Sequence, residues 1–133
     1  MKKIAFFILL IGFISCNENN TESSNGNQKI SVVFPASKYN ELMSSDKPMF
    51  IDFNATWCGP CKLMKPMFEE LAIQYQGKVN FISIDTDKNP EIADQYGVTS
   101  IPTFVLVHNK VVQWGSEGSL PKEMLEEPLK TYK

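Results

Sequence analysis

The sequence predicts an α/β domain: a mixed central sheet of about five strands, flanked by helices on both faces. Three observations carry this reading. From Ile30 onward, short apolar runs alternate with helix-period patterns in the order βαβαβαββα. The run Pro48–Phe53 is apolar except for Asp52, as a strand covered on both faces must be. The last two apolar runs, Thr103–Val107 and Val111–Trp114, are separated only by His108-Asn109-Lys110, which reads as a hairpin.

The elements follow in chain order. Ile30–Phe34 reads as a strand closed by Pro35, and Ser37–Met43 as a short helix with Tyr39, Leu42 and Met43 inward. Pro48–Phe53 is the buried strand. After Cys58 and Cys61, residues Leu63, Met67, Leu71 and Tyr75 recur every four positions, with Met64, Phe68 and Ala72 beside them. That makes one wide apolar stripe on a helix stopping near Gly77. Pro66 falls inside it and removes a backbone hydrogen bond, so a kink is expected. Val79–Ile84 is another buried strand, and Pro90–Tyr96 a short helix ended by Gly97. Leu120–Thr131 is the last helix, with Pro121 near its first turn and Pro128 disturbing its end. Strand order does not follow from these patterns.

The 133 residues carry no internal repeat and suit one domain. A net charge of −2 with neither a basic stripe nor an acidic tail argues against a nucleic-acid partner, and a monomer is expected. All 13 basic side chains are Lys, so no guanidinium can clamp a phosphate. His108, the single histidine, reads as a solvated turn residue, Trp114 as packing on an outer strand, and the six Met as core filling.

The chain opens on Lys2-Lys3, then an apolar run Ile4–Ile14, then Ser15-Cys16. The run is too short to span a membrane, which takes about twenty apolar residues. It fits a secretory signal peptide over residues 1–15. Phe13-Ile14-Ser15-Cys16 resembles a bacterial lipoprotein box, with Phe13 where Leu is usual; that resemblance implies lipidation of Cys16. The stretch Asn17–Gln28 has no aliphatic or aromatic residue. It cannot bury enough apolar surface to order itself, so residues 16–28 read as a lipid-anchored flexible tether and 29–133 as the folded domain.

Cys58 and Cys61 lie three positions apart at a strand-to-helix junction, where they can close a small disulfide. Cys58 then sits at a helix N-terminus, whose free N–H groups and dipole favour the thiolate. Cys61, one turn inside, is expected to be more shielded. Thiolate attack by Cys58 on a substrate disulfide, followed by displacement through Cys61, is the chemistry those positions allow. Other uses of the pair fit less well. A zinc site needs four ligands, and the domain offers one further His and no further Cys. Haem attachment needs a His where Lys62 stands. A purely structural bridge is open to an exported protein, but one this short is a weak staple.

The segment Ile51-Asp52-Phe53-Asn54-Ala55-Thr56-Trp57-Cys58-Gly59-Pro60-Cys61-Lys62 resembles the active-site segment of the thioredoxin family. The likeness continues through Pro66, Tyr75-Gln76-Gly77-Lys78, Asp85, Tyr96-Gly97-Val98, Ile101-Pro102-Thr103 and Gly118. It implies a thioredoxin fold over roughly Ile30 to Lys133, and a protein-disulfide reductase with no cofactor beyond its redox-active disulfide and no metal. It implies Cys58 as nucleophile, Cys61 as resolving thiol and Asp52 as the buried carboxylate that exchanges a proton with Cys61. A lone acid in an apolar strand should indeed have a raised pKa. It implies Pro102 as a cis-proline facing the disulfide, Ile101 offering backbone groups to a bound chain, and Trp57, Gly59, Pro60 and Gly118 lining the groove. Three positions depart: Asn54 stands where a second Trp is frequent, Phe81 where bacterial members carry a Lys, and Lys110 where the hairpin usually has Gly. Loss of the strand Lys should raise the pKa of Asp52 further.

The leading functional expectation is reduction of protein disulfides outside the cytoplasm, by a membrane-anchored lipoprotein on the periplasmic or cell-surface side. An exported reductase cannot draw on cytosolic NADPH, so a membrane electron donor is expected. Gly59-Pro60 resembles the reducing members of the family. A disulfide oxidase or isomerase is the alternative, since the compartment favours disulfides. From another class, a non-catalytic lipoprotein could hold a client in the groove around Pro102.

Overall fold

A computed structural model describes residues 32–133. The signal segment, Cys16, the tether, and Ile30 and Ser31 of the first strand lie outside the described residues.

Five strands form one sheet in the order β1-β3-β2-β4-β5. They are β1 Val33–Pro35, β2 Met49–Asn54, β3 Asn80–Asp85, β4 Thr103–His108 and β5 Val111–Glu117. β3 pairs parallel with both β1 and β2, whereas β4 runs antiparallel to β2 and β5 antiparallel to β4. The mixed sheet is as the sequence predicts. The helices are α1 Tyr39–Met43, α2 Gly59–Gln74, α3 Pro90–Gln95 and α4 Lys122–Glu126.

The two-residue period of β2 sorts the core. Met49, Ile51 and Phe53 face one layer with Tyr39, Leu42 and Ala93, under α1 and α3. Phe50 faces the other, with Met64, Phe68 and Leu71 of α2 and with Leu125 and Leu129 at the C-terminus. The ring of Phe50 lies 5.6 Å from Phe68, 5.5 Å from Phe81 and 6.3 Å from Phe104. Removing such a fully buried ring costs about 3–5 kcal/mol. Asp52, two residues beyond Phe50, is thereby committed to the α2 side of the sheet.

Several boundaries differ from the sequence reading for local reasons. The stripe of α2 runs through Met64, Phe68, Leu71, Ala72 and Tyr75; Leu63 is 73 % exposed, one residue off that face. Pro66 sits inside α2, which continues to Gln74. The first helix begins as a 3₁₀ turn over Ala36–Lys38. The last one is α-helical only to Glu126 and goes on as 3₁₀ over Glu127–Tyr132, because Pro128 has no N–H to give an α-type bond. His108 is not a turn residue. It ends β4, half-buried, with its ring centroid 5.5 Å from that of Tyr132. The turn is Asn109-Lys110, both at positive φ, 52° and 64°. No helix among the described residues is long and apolar enough to cross a membrane.

Candidate active site

β2 ends at Asn54, and Ala55-Thr56-Trp57 leads into α2, whose N-cap is Cys58. Gly59 and Pro60 fill its first turn, where the ring of Pro60 costs no hydrogen bond. Cys58 and Cys61 are joined by a disulfide with S–S 2.09 Å and Cα–Cα 5.3 Å. The Cys61 N–H donates to Cys58 Sγ at 3.2 Å. That amide, at the positive end of a sixteen-residue helix, would stabilise negative charge on Cys58 once the bridge opens. In this oxidised form both cysteines are buried. They form a small buried cluster with Ala55, against which Ile101 packs.

Asp52 lies on the same side of the sheet as α2, paired in register with Ser83 of β3 and Phe104 of β4. It is 6 % exposed. Burial pushes its carboxyl up to about 7, against the opposing pull of a hydrogen bond from Asn54 and the charge of Lys65. Asn54 Nδ2 donates to Asp52 Oδ2 at 3.0 Å and to Ser83 Oγ at 2.7 Å. Asp52 Oδ1 is buried without a hydrogen-bond partner. Phe81 is packed into the aromatic core on Phe50 and Phe68, so its position in β3 brings no cation there; Lys65 of α2 is the nearby cation instead. A partly open cleft of about 300 Å³ lies beside these groups, lined by Asp52, Asn54, Cys61, Lys62, Lys65 and Ser83.

On the other flank, the Ile101–Pro102 peptide is cis, and Gly118 N–H donates to the Pro102 carbonyl at 2.8 Å. Gly118 adopts φ +83°, which a side chain would strain. Trp57, Thr86, Val98, Thr99, Ser100 and Ile101 enclose a hollow of about 310 Å³. Of the residues expected along the groove, Trp57 and Ile101 line this hollow; Gly59, Pro60, Pro102 and Gly118 are not part of its lining, Gly59 and Pro60 being exposed and Pro102 buried. A larger hollow of about 530 Å³ includes Met43, Tyr96 and Val112 but neither sulfur. Among the described residues, no group of three or more His, Cys, Asp or Glu side chains could hold a metal ion.

Sequence reasoning missed Thr86, Thr99 and Ser100 in the groove, Asp87 as the partner of Trp57, and Ser83 beside Asp52. Thr99-Ser100 directly precede Ile101-Pro102, a signal that could have been followed. Ser83 and Asp87 become visible only through strand register and loop geometry.

The arrangement can perform dithiol–disulfide exchange, with a buried acid in reach of the same cleft as the inner thiol. The sequence matches the family model described as Thioredoxin over residues 30–131. It is similar to Thioredoxin 1 of Nostoc sp., at 39% identity over 92 residues, covering 69% of this chain and 86% of that protein. It is similar to the thioredoxin of Chlorobaculum thiosulfatiphilum, at 44% identity over 85 residues, covering 64% and 79%. The thioredoxin of Porphyra purpurea is 37% identical over 103 residues, covering 77% of this chain and 96% of that protein.

Proposed function

The chain belongs to the thioredoxin family and is a thiol–disulfide oxidoreductase, and on that premise we propose that it reduces protein disulfides outside the cytoplasm. The observation that carries the chemistry is the Cys58–Cys61 bridge at the N-terminus of α2, with Asp52 in the wall of the adjoining cleft. In the reduced protein, Cys58 thiolate attacks a substrate disulfide bound along Trp57 and Ile101. One substrate sulfur leaves and a mixed disulfide on Cys58 remains. Asp52 carboxylate takes the Cys61 proton, and Cys61 then attacks Cys58 Sγ, restoring the bridge and releasing the second substrate thiol.

The reductive direction draws on Gly59-Pro60 between the cysteines. The location draws on Lys2-Lys3, the apolar run Ile4–Ile14, Cys16 and the polar stretch after it. Cys16 carries lipid in this reading, and a membrane dithiol donor re-reduces the Cys58–Cys61 bridge. The second reading, an oxidase or isomerase, draws on the oxidising compartment alone.

The reduction potential of the Cys58–Cys61 pair, titrated in defined thiol buffers, separates the two. A value near −270 mV, which is about that of thioredoxin, supports the reductase; one near −120 mV, about that of a strong oxidant, overturns it. A Cys61→Ser chain should accumulate mixed disulfides with its clients in cells. Recovery of none would count against turnover and favour a binding lipoprotein.

A further inference from the structure

We propose that Asn54 is a positioning residue for proton transfer at the active site: its amide fixes which oxygen of Asp52 carries the proton exchanged with Cys61. The inference rests on the reading of Asp52 as the proton acceptor of Cys61, and deepens it.

The geometry is over-determined at Asn54. Its terminal nitrogen donates to the Asp52 main-chain carbonyl at 3.1 Å, to Asp52 Oδ2 at 3.0 Å and to Ser83 Oγ at 2.7 Å. A carbonyl can only accept, so the atom facing it is the nitrogen and the amide cannot be flipped. Two N–H bonds serve three acceptors, so one is shared, and the amide plane is held against β2 and β3 together. Oδ2 thus always faces a donor. A proton on Oδ2 would compete with that donor for the same lone-pair direction, so the neutral acid carries its proton on Oδ1. Oδ1 is the buried oxygen with no partner, and its residue shares a cleft wall with Cys61.

The remaining charged and titratable groups around Asp52 are few. α2 brings Cys61, Lys62 and Lys65, and β3 brings Ser83 in register; Glu69 of α2, Asp85 of β3 and Lys88 line the adjoining hollow with Asn54, and β4 brings only Phe104. Lys65 acts by charge, whereas Asn54 acts by direction as well as by stabilising the carboxylate. In the resolving step the Cys61 S–H bond breaks and its proton passes to Oδ1. The freed electron pair forms the Cys61–Cys58 bond, the Cys58–substrate bond breaks, and its pair leaves on the substrate sulfur. Asp52 or solvent returns a proton to that sulfur.

The experiment is kcat/KM for insulin disulfide reduction, recycled by dithiothreitol, followed across neutral pH in four chains: the natural one, Asn54→Leu, Asp52→Asn and the double variant. Asn54→Leu keeps the shape and removes the donor. It should move the Asp52 limb to higher pH and lower the rate at neutral pH on the order of tenfold, at the low end of general acid–base effects of about 10²–10⁴. Asn54→Ser, which retains a donor, should recover part of that loss. In the Asp52→Asn background, Asn54→Leu should change the rate less than about twofold, because coupled groups are not additive. An equal loss in both backgrounds would make Asn54 merely structural and overturn the proposal. If Asp52→Asn itself leaves the limb in place, it is the Asp52 reading that fails. Should Asn54→Leu not fold, Ser83→Ala is the second variant. With Ser83 Oγ gone, the two N–H bonds serve the two Asp52 oxygens alone, so a ¹³C titration of the Asp52 carboxyl in that oxidised protein should move to lower pH, and an unmoved titration would overturn the proposal.

Discussion

The indole Nε1 of Trp57 donates to Asp87 Oδ2 at 2.8 Å, so a side chain that is 68 % exposed is nevertheless fixed at the mouth of the groove. Asp87 is itself held: its N–H and that of Lys88 donate to Asp85 Oδ1 at 2.9 and 3.2 Å, a turn that ties the loop after β3 to the strand end. The contact adds a side-chain link between the active-site loop and the loop after β3, whose Thr86 N–H already donates to the Asn54 carbonyl at 2.8 Å.

Asp87→Ala should therefore free Trp57 without touching the sulfurs. An exposed hydrogen bond to a charged group contributes at the low end of about 0.5–1.5 kcal/mol, so KM for a protein disulfide should rise about threefold with kcat unchanged. Asp87→Asn, whose amide oxygen can still accept from the indole, should stay near the natural value. Steady-state insulin reduction, read beside Trp57 fluorescence anisotropy, checks both. A fall in kcat instead would mean that the contact supports the cysteines rather than substrate binding.

The β4–β5 turn predicts a gain in stability. Asn109 and Lys110 occupy positive φ, as a two-residue turn with the twist of its flanking strands requires. Asn tolerates that region, whereas for Lys it costs roughly 1 kcal/mol more than for Gly. Part of that is returned through the greater freedom of Gly in the unfolded chain. Lys110→Gly should stabilise by up to about 0.5 kcal/mol, seen as a higher urea midpoint at unchanged slope.

How far the sequence foretells this molecule depends on whether a feature is local. The unbroken apolar run of β2, most of the apolar face of α2 and the Cys58–Cys61 spacing are read from neighbours in the chain, and the structure agrees with them. The exposure of Leu63 was not legible, since a four-residue repeat drifts around a helix of 3.6 residues per turn, and only Phe50, Phe81 and Phe104 decide which neighbouring stripe is covered. Pro128 announced a disturbance, but the change to 3₁₀ rather than an end needed Leu129 to remain buried. At the site, Cys58, Cys61 and Asp52 were visible one by one. The register that sets Asp52 beside Ser83 was not, because strand order is a property of the sheet and not of any strand.

A clasp at the C-terminus gives a further test. Glu126 Oε1 accepts from Gln74 Nε2 at 2.7 Å and from the partly buried Tyr75 hydroxyl at 3.0 Å, and pairs with Lys133 Nζ at 3.0 Å. The Glu126 side chain is 17% exposed and Lys133 56%. Burial, with Glu126 behind it, pushes the Tyr75 phenol up to about 12. Glu126→Leu leaves the phenol without its acceptor and should lower the urea midpoint clearly. Lys133→Ala removes only the exposed half of an ion pair and should lower it less. Urea unfolding of the two variants distinguishes a partly buried hydrogen bond from a surface charge pair; equal losses would refute the distinction.

The last prediction concerns what Asp52 does to the fold. Its carboxyl titrates at about 7 in the folded protein against an ordinary 3.8. Below about pH 4, folded and unfolded chains both hold the proton, and the group costs nothing. Between about pH 4 and 7 the unfolded chain has lost the proton and the folded one keeps it, so stability falls as pH rises. Above about pH 7 the folded carboxyl is ionised too and the cost is at its full value. From 3.8 to about 7, at roughly 1.36 kcal/mol per pH unit, that value is at most about 4 kcal/mol. Asp52→Asn cannot ionise, and its amide oxygen can accept from Asn54 in place of Oδ2. The oxidised variant should therefore unfold at higher urea than the natural protein at about pH 8, with the two curves converging towards about pH 4. The reduced variant should meanwhile lose the neutral limb of its rate profile. A gain in stability that did not shrink on acidification would mean that packing, and not the buried charge, is what Asn improves.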